Sequence, residues 1–267
     1  MFKNLSTEEA LLSWVKKVKL ECQSTYPIPV ATHPDYRLSI AVDIGANIGG
    51  FCVTNSNKFD KIYAFEPYGP NIDVLKHILE TMKTKNVAIF KKAVHSESGI
   101  RLSLKAESFN CSGDITCIED DGLLDVGESC DTISLSDIMK ELEIEKINYL
   151  KMDCEGSEYS ILEVFDDMEK IDIMCLELHG TYGMDRKASL VRKIEETHDV
   201  LYPAHWHNNP DVHGWIRLDI NKLQNEESYK EDQFFEKTHN ILCVSRKYNY
   251  RDLFSERHFL EKQRDAT

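Results

Sequence analysis

Long apolar runs are missing from this 267-residue sequence. None approaches the roughly 18 residues that a membrane-spanning helix requires. The first twenty residues also lack the apolar core that is typical of a secretory signal peptide. We therefore expect no membrane span, no export and a cytoplasmic location.

Clusters of basic residues are missing as well. Lys and Arg number 32 against 46 Asp and Glu, which gives a formal net charge of −14. Proteins that grip a nucleic-acid backbone unassisted rely on grouped positive charge. The composition therefore predicts that this chain does not bind nucleic acid.

The eight cysteines form no C-x-x-C pair. Without such pairs, a zinc ribbon and a thioredoxin-type redox motif are both disfavoured. Several cysteines stand in apolar segments that resemble strands, so we expect free thiols rather than a disulfide framework.

Short apolar segments alternate with helical patterns along the chain. Predicted strands cover 38–44, 61–65, 87–91, 147–152 and 171–178, and predicted helices cover 71–84, 136–142, 157–165 and 188–197. This alternation predicts an α/β fold, with a mostly parallel sheet and helices on both faces. We divide the chain into a helical N-terminal extension (1–37), one main domain (38–247) and a charged tail (248–267). A hairpin is expected within 94–146.

A glycine-rich turn follows the first predicted strand. The segment reads Asp43-Ile-Gly45-Ala-Asn47-Ile-Gly49, and Glu66 follows the second strand, 21 residues after Gly45. Such a turn lets the backbone approach a ligand, and an acid at the tip of the second strand can accept hydrogen bonds from ribose. The alternative is a turn that only permits the strand and the helix to pack.

The departures from the dinucleotide pattern G-x-G-x-x-G bear on which cofactor is bound. Asn47 stands where the second glycine is expected, and Asp43 would repel a pyrophosphate but suits the cationic groups of S-adenosylmethionine. Two alternatives stay open: a nicotinamide-dependent oxidoreductase, and a non-catalytic nucleotide-binding interaction module.

A second dense motif follows the fourth strand and reads Lys151-Met-Asp153-Cys-Glu155-Gly-Ser-Glu158. Ligands of open α/β sheets bind outside the carboxyl ends of the strands, which is where Asp153 and Glu155 are expected. The alternative for each of these acids, and for Glu158, is that it caps the following helix.

Histidines form a third group. Glu177 and His179 end the fifth strand, and His205 and His207 follow a later one. Asp153, Glu177 and His205 offer the atoms that a divalent metal prefers. A histidine could instead take a proton from a hydroxyl, or these groups could simply contact a polar substrate.

The segments VDIGANIGG, YAFEP, AVHSESG, TISLSDIM and LKMDCEGSEYSIL, in this order, resemble the FkbM family of S-adenosylmethionine-dependent O-methyltransferases. The resemblance implies a seven-stranded Rossmann-like fold and methyl transfer to a hydroxyl. It also implies a set of cofactor-binding residues, namely Asp43, Gly45, Ala46, Asn47, Gly49, Glu66, Pro67, Ala93, Val94 and Asp153.

Taken with this resemblance, the sequence predicts methyl transfer from S-adenosylmethionine to a hydroxyl, most simply that of a sugar. Asp153 and His179 are expected beside the reacting hydroxyl, supported by Glu155. The substrate side is assigned to His205, Trp206 and His207. Trp215 is a further aromatic candidate, because aromatic faces pack on sugar C–H surfaces.

Overall fold

Strands and helices alternate along the chain as the apolar pattern predicts. The computed structural model describes residues 8–29, 38–106, 115–116, 123–179, 184–203, 215–217 and 239–254. The described strands are β1 Ile40–Ile44, β2 Lys61–Phe65, β3 Val87–Phe90, β4 Lys92–Val94, β5 Arg101–Ala106, β6 Leu124–Ile133, β7 Tyr149–Met152, β8 Ile173–Leu178, β9 His198–Pro203, β10 Trp215–Arg217 and β11 His239–Ser245. The described helices are α1 Glu8–Thr25, α2 Gly50–Asn55, α3 Gly69–Thr81, α4 Leu135–Glu141, α5 Glu158–Val164, α6 Met184–Glu195 and α7 Tyr250–Leu253.

The main sheet has the strand order β3-β2-β1-β7-β8-β11-β9-β10. The first five strands of this order pair in parallel, and β11 lies antiparallel to both β8 and β9. This arrangement confirms the predicted Rossmann-like α/β fold with a mostly parallel sheet. The three-residue strand β10 adds an eighth member to the seven expected, antiparallel to β9.

Each face of the sheet is buried beneath helices. One face carries Val42, Leu150 and Leu176 in the larger core cluster. The opposite face carries Ala41 and Tyr149 in a second cluster, which also includes residues of α2. Because side chains alternate along a strand, neighbouring residues serve different cores, which explains the nearly continuous apolar sequence of these strands.

The predicted hairpin forms part of a second, three-stranded sheet with the order β4-β6-β5. Strands β5 and β6 pair antiparallel, whereas β4 pairs in parallel with β6. Because β4 begins two residues after β3 ends, this small sheet lies next to the carboxyl end of β3.

The two ends of the described chain pack against the main domain. Leu11 and Val15 of α1 cluster with Ile78 of α3, and α1 also contacts α2. Near the other end, Leu253 and Phe254 are buried in the second core cluster. The helix of the predicted extension and the first residues of the predicted tail therefore belong to the packed structure. No helix among the described residues is long and apolar enough to cross a membrane.

Candidate active site

The turn after β1 is held by backbone contacts to the strands on either side. The N–H groups of Gly45 and Ala46 both donate to the carbonyl of Phe65, at 3.0 Å. A Cβ at Gly45 would lie 1.7 Å from the backbone oxygen of Asp153, and the residue has φ +71. A glycine is required here because the turn passes directly against the end of β7.

Glu66 is buried at the end of β2 and fixes the glycine turn. Its Oε2 accepts the N–H of Asn47 at 2.8 Å, and its Oε1 accepts the N–H of Tyr68 and the amide of Asn71. Burial raises the pKa of this carboxyl, and the three hydrogen bonds oppose the rise. A carboxylate has about four acceptor positions, so Oε2 retains room for one more donor, such as a ribose hydroxyl.

A cleft opens between the ends of β1, β2, β4 and β7. It has about 540 Å³ of empty space, part of it open to solvent. Its walls combine polar and apolar groups, among them Gly45, Asn47, Glu66, Pro67, Ala93, Val94, Ile115 and Asp153. An acid for ribose beside the apolar walls of β4 fits the nucleoside part of S-adenosylmethionine.

Three of the residues predicted to bind the cofactor do not line this cleft. Asp43 is fully buried and faces α2, where the Cys52 thiol donates to its Oδ2 at 3.2 Å. Ala46 is buried as well. A Cβ at Gly49 would meet the Leu75 side chain, so that glycine serves the packing of α2 against α3. The buried Asp43 thus contacts α2, and its role toward a cationic cofactor stays a prediction.

Lys151 balances the charge of Asp43 inside the core. The two residues are direct neighbours across β1 and β7, and Nζ lies 3.3 Å from Oδ1. Nζ also donates to the carbonyls of Ile44 and Gly45. Burial opposes the charge of Lys151, but Asp43 and then Asp153 outweigh it and raise its pKa. The ion pair thus ties the glycine turn to β7.

Asp153 and Glu177 meet at the ends of the neighbouring strands β7 and β8. Asp153, Glu177 and His179 each offer one potential ligand atom, and these atoms lie within 4.8 Å of one another. Burial, and next the negative charge of Asp153, raise the pKa of Glu177 to about 7. Glu177 can therefore bind or release a proton near neutral pH.

His179 lies between two other carboxylates. Its Nε2 is 3.1 Å from Glu155 Oε2, and its Nδ1 is 3.2 Å from Glu158 Oε1. Burial opposes protonation, but the hydrogen bonds to Glu155 and Glu158 raise its pKa to about 11. The ring is therefore an imidazolium at neutral pH, which can donate a proton but not accept one.

The backbone around Glu155 adopts an uncommon conformation. Glu155 has φ +54 without being glycine, and Gly156 follows with φ +99. The Thr116 hydroxyl donates to the Glu155 carbonyl at 3.1 Å. Glu158 accepts the N–H of Cys154 at 2.8 Å, but Cys154 precedes α5, and the N-cap residue Ser157 makes no side-chain capping bond. The described contacts therefore include no cap of α5 by Asp153, Glu155 or Glu158.

One site residue comes from a segment to which the sequence analysis gave no functional role. The Tyr26 hydroxyl, just beyond α1, donates to Asp153 Oδ2 at 3.1 Å. No motif surrounds Tyr26, so only the folded chain reveals this contact. The Lys151–Asp43 pair could have been found, because a lone charge of opposite sign stands in each of two adjacent apolar strands.

The remaining predicted residues fall into two groups. His205, Trp206 and His207 lie outside the described residues, so the metal set that included His205 is not seen as such. Trp215 is described, and it is buried in the second core cluster. Its expected role on a sugar face is therefore wrong, because the ring is covered by the packing of the sheet.

The strand order and the cleft identify the chain as a Rossmann-like α/β protein with a site suited to a nucleoside-containing ligand. A family model described as "Methyltransferase FkbM domain" matches residues 43–251. The chain belongs to this family of S-adenosylmethionine-dependent methyltransferases. This membership decides against the oxidoreductase and the non-catalytic module.

Several solved structures share the general arrangement at low identity. Methyltransferase FkbM from Methylobacillus flagellatus KT is 15% identical with a TM-score of 0.41, over 91% of this chain and 56% of that chain. An rRNA methylase from Streptococcus thermophilus is 12% identical with a TM-score of 0.41, over 79% and 88%. TrmK from M. capricolum, solved with S-adenosylhomocysteine, is 11% identical with a TM-score of 0.41, over 94% and 77%. No curated protein matches the chain. Likenesses at this level do not identify the acceptor.

Proposed function

We propose that this protein transfers a methyl group from S-adenosylmethionine to a hydroxyl of a sugar. The observation that carries the proposal is the pair of carboxyl groups, Asp153 and Glu177, at the ends of adjacent strands. Asp153 also lines the cleft that contains Glu66. A methyltransferase that acts on an alcohol needs an acceptor for the hydroxyl proton beside its cofactor, and this pair stands in that place.

The residues divide the work as follows. Glu66 accepts a ribose hydroxyl, and the walls of β4 enclose the base. The bound cofactor supplies an activated methyl group on a positively charged sulfur. As the acceptor oxygen takes the methyl group and the carbon–sulfur bond breaks, the Asp153–Glu177 pair would accept the hydroxyl proton. The pKa of Glu177 near 7 suits this task at neutral pH.

His179 takes a different role from the base that the sequence suggested. Since its pKa is about 11, its ring is already protonated when an acceptor binds. We assign His179 the role of holding Glu155 in place and of offsetting part of the negative charge of the neighbouring carboxylates. Glu155 itself lines the cleft and contacts the acceptor or the cofactor.

The assignment of a sugar as the methyl acceptor rests on the polar side chains around Asp153. Carboxylates and an imidazolium offer acceptors and donors to a ligand with many hydroxyl groups. The formal charge of −14 disfavours a polyanionic acceptor such as RNA. RNA is nevertheless the acceptor class against which the assignment should be tested.

A metal ion is the second candidate for activating the hydroxyl. The close approach of Asp153, Glu177 and His179 favours it. However, both ring nitrogens of His179 already face carboxylates, so a metal would have to displace Glu155 or Glu158. We therefore expect full turnover after exhaustive EDTA treatment. Loss of activity with EDTA, restored by Mg²⁺ or Mn²⁺, would establish the metal instead.

The proposal can be tested in two stages. Calorimetry should first show that S-adenosylhomocysteine binds and that NADH does not. The protein is then incubated with methyl-labelled S-adenosylmethionine and separate panels of oligosaccharides, nucleotide sugars, RNA and peptides. Label in an O-methyl sugar, identified by mass spectrometry after hydrolysis, is the expected result. Label confined to RNA or peptide would refute the sugar assignment.

A further inference from the structure

The segment just after the N-terminal helix places the phenol of Tyr26 beside Asp153. Tyr26 follows directly after α1, and its hydroxyl donates to Asp153 Oδ2 at 3.1 Å across 127 positions of sequence. The same Oδ2 lies 3.8 Å from Lys151 Nζ, which is the more distant partner. A segment that precedes the main domain thus contacts the carboxylate to which we assign proton removal.

The segment that carries Tyr26 is pinned on both sides of it. The Cys175 thiol donates to the carbonyl of Thr25 at 3.4 Å, and the Tyr149 hydroxyl donates to that of Pro27 at 3.2 Å. The Tyr26 ring packs edge-on against Phe51, with ring centres 5.9 Å apart. The phenol is therefore placed by the fold and not only by its hydrogen bond.

The phenol of Tyr26 stays protonated and therefore always donates its hydrogen bond. Burial, and next the negative charge of Asp153, raise its pKa well above the ordinary value of 10.0. The Lys151 ammonium lies 5.7 Å from the centre of its ring. Because the hydroxyl stays protonated at neutral pH, Oδ2 is engaged throughout and Oδ1 is left for the acceptor hydroxyl.

We propose that Tyr26 is a positioning residue that orients the Asp153 carboxylate, so that the N-terminal helix completes the reaction site. This inference rests on the proposed role of Asp153. The phenol does not line the cofactor cleft, so its loss should affect turnover and not cofactor binding. Reaction rates depend strongly on how the reacting groups are oriented, and Tyr26 fixes the direction of one carboxylate oxygen of Asp153.

The kinetic test replaces the phenol without removing its ring. Tyr26→Phe should lower kcat about tenfold, while the KM for S-adenosylmethionine and the Kd for S-adenosylhomocysteine change less than about twofold. Tyr248→Phe is the matched control, because it removes a hydroxyl that accepts a hydrogen bond from Lys146 Nζ at 3.0 Å, before the amino end of β7 and away from Asp153. Its kcat should stay close to that of the unmodified protein.

A thermodynamic test needs no acceptor. Tyr26→Phe should lower the Tm by about 2–4 °C in the unmodified protein, the range for loss of one such contact. In an Asp153→Ala background the same change should lower the Tm clearly less, because the hydroxyl no longer has its partner. Tyr248→Phe should lower the Tm equally in both backgrounds.

Three results would overturn the inference: an equal loss of Tm for Tyr26→Phe in both backgrounds, an unchanged kcat in Tyr26→Phe, or an equal fall of kcat in Tyr248→Phe. A protein that binds S-adenosylhomocysteine but methylates none of the acceptors would contradict the proposed function alone. The unfolding measurements would still decide on the Tyr26 contact.

Discussion

Two regions adjoin each other at one edge of the sheet. One is the cofactor cleft around Glu66, and the other is a charged cluster that consists of Asp153, Glu155, Glu158, Glu177 and His179. They are held in place by different kinds of contact. In the cleft, Glu66 is fixed by backbone N–H groups of Asn47 and Tyr68, and the turn at Gly45 is fixed by the carbonyl of Phe65. These contacts depend on main-chain groups at the ends of β1 and β2 and in the turns that follow them.

The cluster depends instead on side chains that come from distant parts of the chain. Tyr26 holds Asp153, and His179 holds Glu155 and Glu158. Thr116, from the segment between β5 and β6, holds the Glu155 carbonyl. Substitutions in the cleft should therefore change cofactor binding and local folding, whereas substitutions in the cluster should change turnover.

The largest expected effect is that of Asp153→Asn. The amide cannot accept the hydroxyl proton, so kcat should fall by about 10²–10⁴, the usual contribution of a general base. The Kd for S-adenosylhomocysteine should stay within about threefold, measured by calorimetry. Asp131→Asn is the matched control, because Asp131 is exposed and pairs with Arg101 at the surface. An Asp153→Asn protein with normal turnover would remove Asp153 from the reaction.

Gly45→Ala tests the point at which the two regions touch. The new Cβ would lie 1.7 Å from the backbone oxygen of Asp153, at a φ of +71. We expect a loss of about 3 kcal/mol or more in the free energy of unfolding, from overpacking and strain together. Gly99→Ala is the matched control, since Gly99 has φ +82 but nothing within 4 Å of the added carbon.

Urea unfolding should therefore give a clearly smaller loss for Gly99→Ala, near the 1 kcal/mol that strain alone can cost. Equal losses in the two variants would mean that the contact with β7 does not constrain the turn. The two regions would then be less tightly joined than their geometry indicates.

The same contrast explains what the sequence could and could not predict. Gly45 and Glu66 are recognisable because backbone conformation and local spacing determine their roles. The contact of Asp43 with Cys52 was not predictable, because the direction of the Asp43 side chain depends on which helix covers that face of the sheet. Tyr26 leaves no signal at all, since its partner is chosen by the docking of α1. The meeting of Asp153 and Glu177 at the ends of neighbouring strands was predictable from topology, but the protonation state of His179 was not, because it depends on Glu155 and Glu158 together.

The third prediction concerns the pH dependence that His179 gives to stability. Its folded-state pKa of about 11 lies above the ordinary value of 6.5. The stabilisation is therefore complete below about pH 6.5 and is lost as the pH rises toward 11. Relative to His179→Gln, the unmodified protein should be more stable by about 2 kcal/mol at pH 6, the scale of hydrogen bonds to charged groups.

This advantage should shrink steadily when urea unfolding is repeated up to pH 10. His77→Gln, on the exposed side of α3, should show no such trend. A difference between the proteins that grows with pH would contradict the imidazolium assignment and restore His179 as a candidate base.

The smallest expected effect is that of Glu66→Gln, which tests the cleft without touching the cluster. The amide keeps the shape of the side chain, but its NH₂ group opposes one of the backbone donors that the carboxylate accepts. It also weakens the bond offered to a ribose hydroxyl. We expect the Kd for S-adenosylhomocysteine to rise about tenfold, or roughly 1.4 kcal/mol, the cost of weakening one charge-assisted hydrogen bond.

At saturating S-adenosylmethionine, kcat should recover to near its normal value, because Glu66 lies away from the transferring methyl. Glu80→Gln, exposed on α3, controls for the loss of one negative charge. A fall in kcat that saturating cofactor does not restore would show that the cleft also controls the chemical step, and the division between the two regions would have to be given up.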